Sequence, residues 1–180
     1  VLTEHGAKAE LDDQRSDGTP LPNTVRFLGE LRPPQQRAFE SLTAHDTGVL
    51  AATTAFGKTV VASALIGHRC RNTLVLVHRR ELLDQWVERL KTFLQIDPKQ
   101  IGTIGGGRRK PTGVIDVALI QSLVRNGEVD DIVADYGQLI VDECHHLSAA
   151  SFELVARRTK ARYVVGLSAT VARKDGHHPI

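Results

Sequence analysis

The chain has no methionine, two cysteines, and only one Trp, two Tyr and five Phe. With Cys70 and Cys144 alone and no CxxC spacing, a disulfide framework and a four-cysteine zinc cage are excluded, so a reducing, cytoplasmic setting is expected. The scarcity of aromatics leaves few platforms on which bases could stack. Long apolar runs are also missing. Stretches such as Val60 to Ile66 are far too short to cross a bilayer, and no membrane partner is expected. Charge of one sign is not in excess, with 23 Lys plus Arg against 21 Asp plus Glu, which excludes a bulk positive field. No low-complexity tract or solenoid-period repeat is present. The missing methionines include an initiator, which suggests a processed or excised piece.

What is present is enough chain, 180 residues, for one core, organised in two parts. Residues 1–24 hold Glu4, Glu10, Asp12, Asp13 and Asp17 against Lys8 and Arg15, and end in the breaker-rich Asp17-Gly18-Thr19-Pro20-Leu21-Pro22-Asn23. This reads as a linker or lead-in with little core of its own. From residue 25 to 180 short β-branched runs alternate with segments of helical period. Strands are expected at Gly48–Ala52, Thr73–Val77, Ile101–Ile104, Val114–Ile120, Gln138–Val141 and Tyr163–Leu167. Helices are expected at Leu31–Leu42, which opens with prolines, at Lys58–Arg69, at Arg80–Leu94 and around Ala149–Arg158. Strands apolar on both faces and alternating with helices predict an α/β fold, a mainly parallel sheet with helices on both faces. Ligands of such sheets bind outside the carboxyl ends of the strands.

Two such ends carry chemistry. Ala52-Thr53-Thr54-Ala55-Phe56-Gly57-Lys58-Thr59-Val60 lies between a strand and a helix and follows the phosphate-loop pattern, with Ala52 at the first glycine position. Such a loop needs inward backbone N–H groups, a lysine for the β- and γ-phosphates and a hydroxyl for magnesium; Gly57, Lys58 and Thr59 provide them in order. The strand Gln138–Val141 ends in Asp142-Glu143-Cys144-His145-His146. Two carboxylates at a strand's end divide the work of phosphoryl transfer, so Asp142 is assigned to magnesium and Glu143 to the attacking water. No regular spacing joins Cys144, His145, His146, His177 and His178 into a zinc site. Trp86, on the apolar face of its helix, is expected in the core rather than as a base-stacking platform.

These motifs and others in order resemble the first RecA-like motor domain of superfamily 2 DExH helicases and translocases, in the branch of restriction-enzyme motor subunits and excision-repair helicases. Asp142-Glu143-Cys144-His145 resembles the DExH box, and Arg32-Pro33-Pro34-Gln35 resembles the R-P-x-Q element. Leu76 to Trp86, Gly105-Gly106-Gly107 and Gln121-Ser122-Leu123 resemble the motifs that follow, and Gly166-Leu167-Ser168-Ala169-Thr170 matches the S-A-T motif. Ala55 and Phe56 replace the common Gly-Ser before Gly57, and Val171 stands where proline is usual.

The resemblance implies a RecA-like P-loop NTPase domain that uses ATP and Mg²⁺. Catalysis would rest on Lys58, Asp142, Glu143 and His145, and metal binding on Thr59 and Asp142. Nucleotide binding would involve Arg32, Gln35 as the reader of adenine, and Thr53 through Val60, including Thr54, Ala55, Phe56, Gly57, Lys58 and Thr59. Ser168, Ala169 and Thr170 would couple nucleotide state to a track contacted by Arg79, Gly105, Gly106, Gln121 and Ser122. The implied partners are DNA, duplex ahead of single strand and ahead of RNA, and a second RecA-like domain absent from this chain. Two other readings stand beside it: a different phosphate-loop enzyme such as a nucleotide kinase, and a non-catalytic binding module. Arg108-Arg109-Lys110 after the glycines reads either as a phosphate-backbone grip or as a solvated hairpin tip.

Overall fold

The computed structural model describes residues 13–125, 127–144 and 149–169. Its elements run α1 Pro33–Thr43, β1 Thr47–Ala51, α2 Lys58–Arg69, β2 Thr73–Val77, α3 Arg80–Phe93, β3 Ile101–Gly105, β4 Arg108–Lys110, β5 Ile115–Leu119, α4 Ile120–Leu123, β6 Val124–Arg125, β7 Glu128–Val129, β8 Gln138–Val141, α5 Ala149–Arg158 and β9 Tyr163–Ser168. Seven strands form one sheet in the order β1-β9-β8-β2-β5-β3-β4, parallel except for the β3–β4 pair. The mainly parallel α/β fold is as the sequence predicts.

Alternation along the central strands explains why both faces are covered. Val75 and Val77 of β2, Ile140 of β8 and Val165 and Leu167 of β9 enter one core with Val61, Leu65 and Ile66 of α2 and Leu83, Trp86 and Leu90 of α3. Leu74 and Leu76, Leu139 and Val141 enter a second core on the opposite face, with Ile120 and Leu123 of α4, Val155 of α5 and Val133 from the 3₁₀ turn Asp131–Asp135. Both faces of the central strands therefore have helices to pack against, and each fully buried Leu or Ile contributes about 1.5–3 kcal/mol. Among the described residues no helix is long and apolar enough to cross a membrane.

Three local features differ from expectation. Arg108–Lys110 is an antiparallel edge strand, not a loop, because Gly106 (φ 61°) and Gly107 (φ 82°) supply the two left-handed residues of a tight hairpin turn. Ile120 leaves the strand to open the short helix α4, which carries Gln121 and Ser122. The end of the lead-in is docked: Leu21 is buried in the first core, and Ser16 pairs with Ala161 beside β9. Asn72 fastens it there, its Oδ1 accepting from Thr19 N (2.9 Å) and Gly137 N (3.0 Å).

Candidate active site

The carboxyl ends of β1, β9 and β8 lie side by side. Ala51 is in register with Ser168, Ala52 N donates to Ser168 O (3.0 Å), and Val141 is in register with Gly166. The phosphate loop leaves β1 here, makes a single 3₁₀ turn at Thr54–Phe56 and enters α2 through Gly57. Gly57 has φ 84°, a left-handed backbone that favours glycine, and a Cβ on it would lie 2.6 Å from Gln35 Nε2, so that amide would have to move. The loop is clamped from outside. Gln35 Nε2 and an Arg32 guanidinium nitrogen both donate to the Phe56 carbonyl, at 2.8 and 2.6 Å, while Gln35 Oε1 accepts from Arg32 N (2.9 Å).

Lys58 is buried, and its ammonium donates to Ala52 O (3.0 Å) and stands 3.9 Å from Glu143 Oε1. Asp142 is also buried, with one partner on each oxygen: Trp86 Nε1 donates to Oδ2 (2.7 Å) and Glu143 N to Oδ1 (2.9 Å). Burial raises the Asp142 pKa, the indole hydrogen bond opposes that shift, and the neighbouring Glu143 carboxylate adds to it. Glu143 has φ 47°, rare for a residue with a side chain. This left-handed backbone is the kind of local strain that sites hold against the surrounding fold. Beside the pair, the Cys144 thiol is raised by burial and its sulfur lies against Gly166 of β9, the strand that ends in buried Ser168. The acid-bearing loop and the S-A-T strand are thus in direct contact.

Between the loop and the acids lies a cavity of about 400 Å³ lined by Thr54, Ala55, Gly57, Lys58, Thr59, Val60, Asp142 and Glu143. Its remaining wall is Leu82, Gln85, Trp86 and Arg89, one face of α3 at helical spacing. The structure therefore brings together most of the expected nucleotide residues. It leaves Arg32, Gln35, Thr53 and Phe56 outside the lining, with the first two holding the loop by its backbone and Phe56 packed against the first core. Trp86 is core, as its apolar helix face predicts, and a hydrogen-bond donor to the acid pair as well. No sequence signal marks that second part, because its partner lies 56 residues away. His145 and Thr170 lie outside the described residues.

The expected track residues gather at the carboxyl ends of the adjacent strands β2, β5 and β3. Arg79 precedes α3, Gly105 ends β3 and Gly106 begins the turn after it, and Gln121 Nε2 donates to His78 O (2.9 Å), tying α4 to the end of β2. Arg80 packs over Gly106. Arg109 and Arg108 project from the hairpin toward acids, Asp130 at 2.5 Å and Asp84 at 3.7 Å. The basic triplet is therefore partly neutralised within the chain.

Comparison with known proteins agrees with this arrangement. The DNA 3'-5' translocase XPB2 of Sulfurisphaera tokodaii is 30% identical over 171 residues, covering 95% of this chain and 37% of the relative. The DNA 3'-5' helicase XPB of Mycobacterium tuberculosis is 30% identical over 167 residues, covering 89% of this chain and 30% of the relative. The chain thus spans about a third of the length of these relatives. The crystal structure of the UvsW helicase from bacteriophage T4 superposes with a TM-score of 0.71 at 20% identity, over 97% of this chain and 69% of that one, showing the same fold. Residues 28–173 match the family described as type III restriction enzyme, res subunit. The chain belongs to that family and has the fold of a superfamily 2 first RecA-like domain.

Proposed function

We propose that this chain is the ATP-binding motor domain of a DNA-dependent ATPase, hydrolysing ATP to drive movement along DNA, duplex in preference to single strand, when joined to a second RecA-like domain. The observation that carries the reading is the facing pair: the phosphate-loop Lys58 and the acids Asp142 and Glu143 across one cavity, with Lys58 Nζ 3.9 Å from Glu143 Oε1.

The residues fit a magnesium nucleotide. Thr59 and Asp142 supply hydroxyl and carboxylate oxygens on the cavity wall, the hard donors magnesium prefers, and each Asp142 oxygen keeps acceptor capacity beyond its one N–H partner. Magnesium bound there would neutralise phosphate oxygens as charge develops in phosphoryl transfer. Lys58 exchanges its Ala52 carbonyl for the β- and γ-phosphates, and backbone N–H groups at the start of α2 hold the phosphate chain. Glu143, released from Lys58, orients a water for in-line attack on the γ-phosphorus and accepts its proton. Ser168, bonded to the phosphate loop at Ala52 and at the end of the strand that Cys144 packs against, passes the state of the site to β9 and its neighbours. The arginine finger expected from a second motor domain is worth about 10³–10⁵ in rate, so this chain by itself turns ATP over near background.

Support for DNA comes from the names of the two relatives, both DNA enzymes, and from the exposed Arg79, Arg80, Arg108 and Arg109 near the carboxyl ends of β2, β5 and β3. The test is ATP hydrolysis by the protein carrying both motor domains, titrated with duplex DNA, single-stranded DNA and RNA. Strongest stimulation by duplex DNA is expected. Stimulation by RNA alone overturns the choice of track, and no stimulation by any of them overturns the motor.

A further inference from the structure

We infer that Trp86 is the positioning residue for the metal-binding carboxylate: its indole N–H fixes the rotamer of Asp142, so that affinity for magnesium nucleotide, but not for nucleotide alone, depends on that one donor. The inference rests on the nucleotide reading above and adds a residue to it from the opposite wall of the cavity.

Three features combine. First, the bond is short and dry. Trp86 Nε1 lies 2.7 Å from Asp142 Oδ2, and both residues are buried, at 2% and 7% exposure. A hydrogen bond from a neutral donor to an ionised acceptor in such surroundings is among the stronger kinds. Second, the carboxylate is held at two points: Glu143 N takes Oδ1 at 2.9 Å while the indole takes Oδ2. Two donors on opposite oxygens fix the carboxylate plane, and the remaining lone pairs are then aimed at the cavity before any ligand arrives. Preorganisation of this kind matters for a metal held through few protein oxygens. Third, the indole is rigidly mounted. Its ring packs in the first core with α2 and the central strands, on a helix that also reaches the cavity through Gln85 and Arg89. A phenylalanine fills much of the same space but has no N–H to give.

The test compares the wild-type chain with Trp86→Phe by isothermal titration of ATP, in excess MgCl₂ and in EDTA. In the wild type, magnesium raises ATP affinity. In Trp86→Phe that gain falls roughly tenfold, the scale of one hydrogen bond to a charged group, while affinity in EDTA stays within about twofold. An unchanged magnesium gain overturns the inference, as does an equal fall in both affinities, which is the signature of a residue that only packs. A wild-type chain whose ATP affinity does not respond to magnesium removes the nucleotide reading and the inference together, whereas a normal wild-type response with an unaltered variant removes the inference alone.

A second measurement needs no variant. Trp86 is the only tryptophan of the chain, so a ¹⁵N-labelled sample gives one indole N–H signal. When MgCl₂ is added to the preformed ATP complex in EDTA-free buffer, that signal should shift and remain protected from solvent exchange. An indole signal that exchanges freely, or that ignores magnesium, overturns the inference even if Trp86→Phe fails to fold.

Discussion

Strands β1, β9 and β8 end in buried polar groups bonded to one another, whereas β2, β5 and β3 end in groups that face solvent. On the first side, Lys58, Asp142 and Ser168 are all buried and joined through Ala52, Trp86 and Glu143. On the second, Arg79, Arg80, Arg108 and Arg109 are exposed, and the Arg108–Asp84 pair has both partners in water. Burial of polar groups costs free energy unless each finds a partner, so the first set is tightly specified by its surroundings. An exposed pair contributes only about 0–1 kcal/mol, so the second set is free to exchange its acids for phosphates. The difference suits the proposed division of labour. A chemical site needs groups held to fractions of an ångström, while a track-binding strip must take and release many equivalent phosphates.

Substitutions can break this contrast. The largest effect is expected from Glu143→Gln in the protein with both motor domains: hydrolysis falls by about 10²–10⁴, the usual contribution of a positioned base, with ATP binding retained. A rate assay beside a binding titration separates the two. Lys58→Ala follows, with binding of magnesium ATP reduced by about 10²-fold, the scale of losing a preorganised charged donor in a closed site. Gly57→Ala comes next. It forces a Cβ to 2.6 Å from Gln35 Nε2 at a φ of 84°, and should lower stability by about 1–3 kcal/mol, read from a denaturant midpoint.

The smallest effect is expected on the exposed side. Arg79→Ala should weaken DNA binding a few-fold and lower the salt slope by about one, with nucleotide binding untouched. If Arg79→Ala harmed nucleotide binding as much as Lys58→Ala, the two halves would not be separable.

Acid sharpens the same contrast. Burial places the folded-state pKa of Asp142 above its unfolded value, so the native state holds this proton more tightly than the unfolded chain. Its contribution to stability therefore falls as pH rises through the folded-state pKa. Against the non-titrating Asp142→Asn, the wild type should gain stability as pH is lowered from 7 toward 5. Thermal melts of the two at several pH values check the sign, and a gap that moves the other way contradicts the buried carboxylate described above.

What the sequence made legible follows from where the information sits. Phosphate chemistry requires particular residues at consecutive positions, so Gly57-Lys58-Thr59 and Asp142-Glu143 could be read directly, and the two-faced apolar run of β2 announced a sheet covered on both sides. Helix ends moved by a residue or two. Other features depend on contacts between distant segments: the clamp of Arg32 and Gln35 on the Phe56 carbonyl, the Trp86–Asp142 bond and the neutralisation of Arg109 by Asp130. No local pattern encodes them. The edge strand β4 was hidden for a different reason, since Arg108-Arg109-Lys110 is poor in β-formers and is a strand because the Gly106-Gly107 turn directs it back along β3.

The most direct test of the account is calorimetric titration of magnesium ATP into the wild-type chain, Glu143→Gln and Lys58→Ala. The account predicts one site per chain, equal affinity for wild type and Glu143→Gln within about threefold, and a loss of about 10²-fold for Lys58→Ala. Binding by Lys58→Ala at wild-type affinity would contradict it, because the cavity between the phosphate loop and the acid pair would then not be where the nucleotide sits.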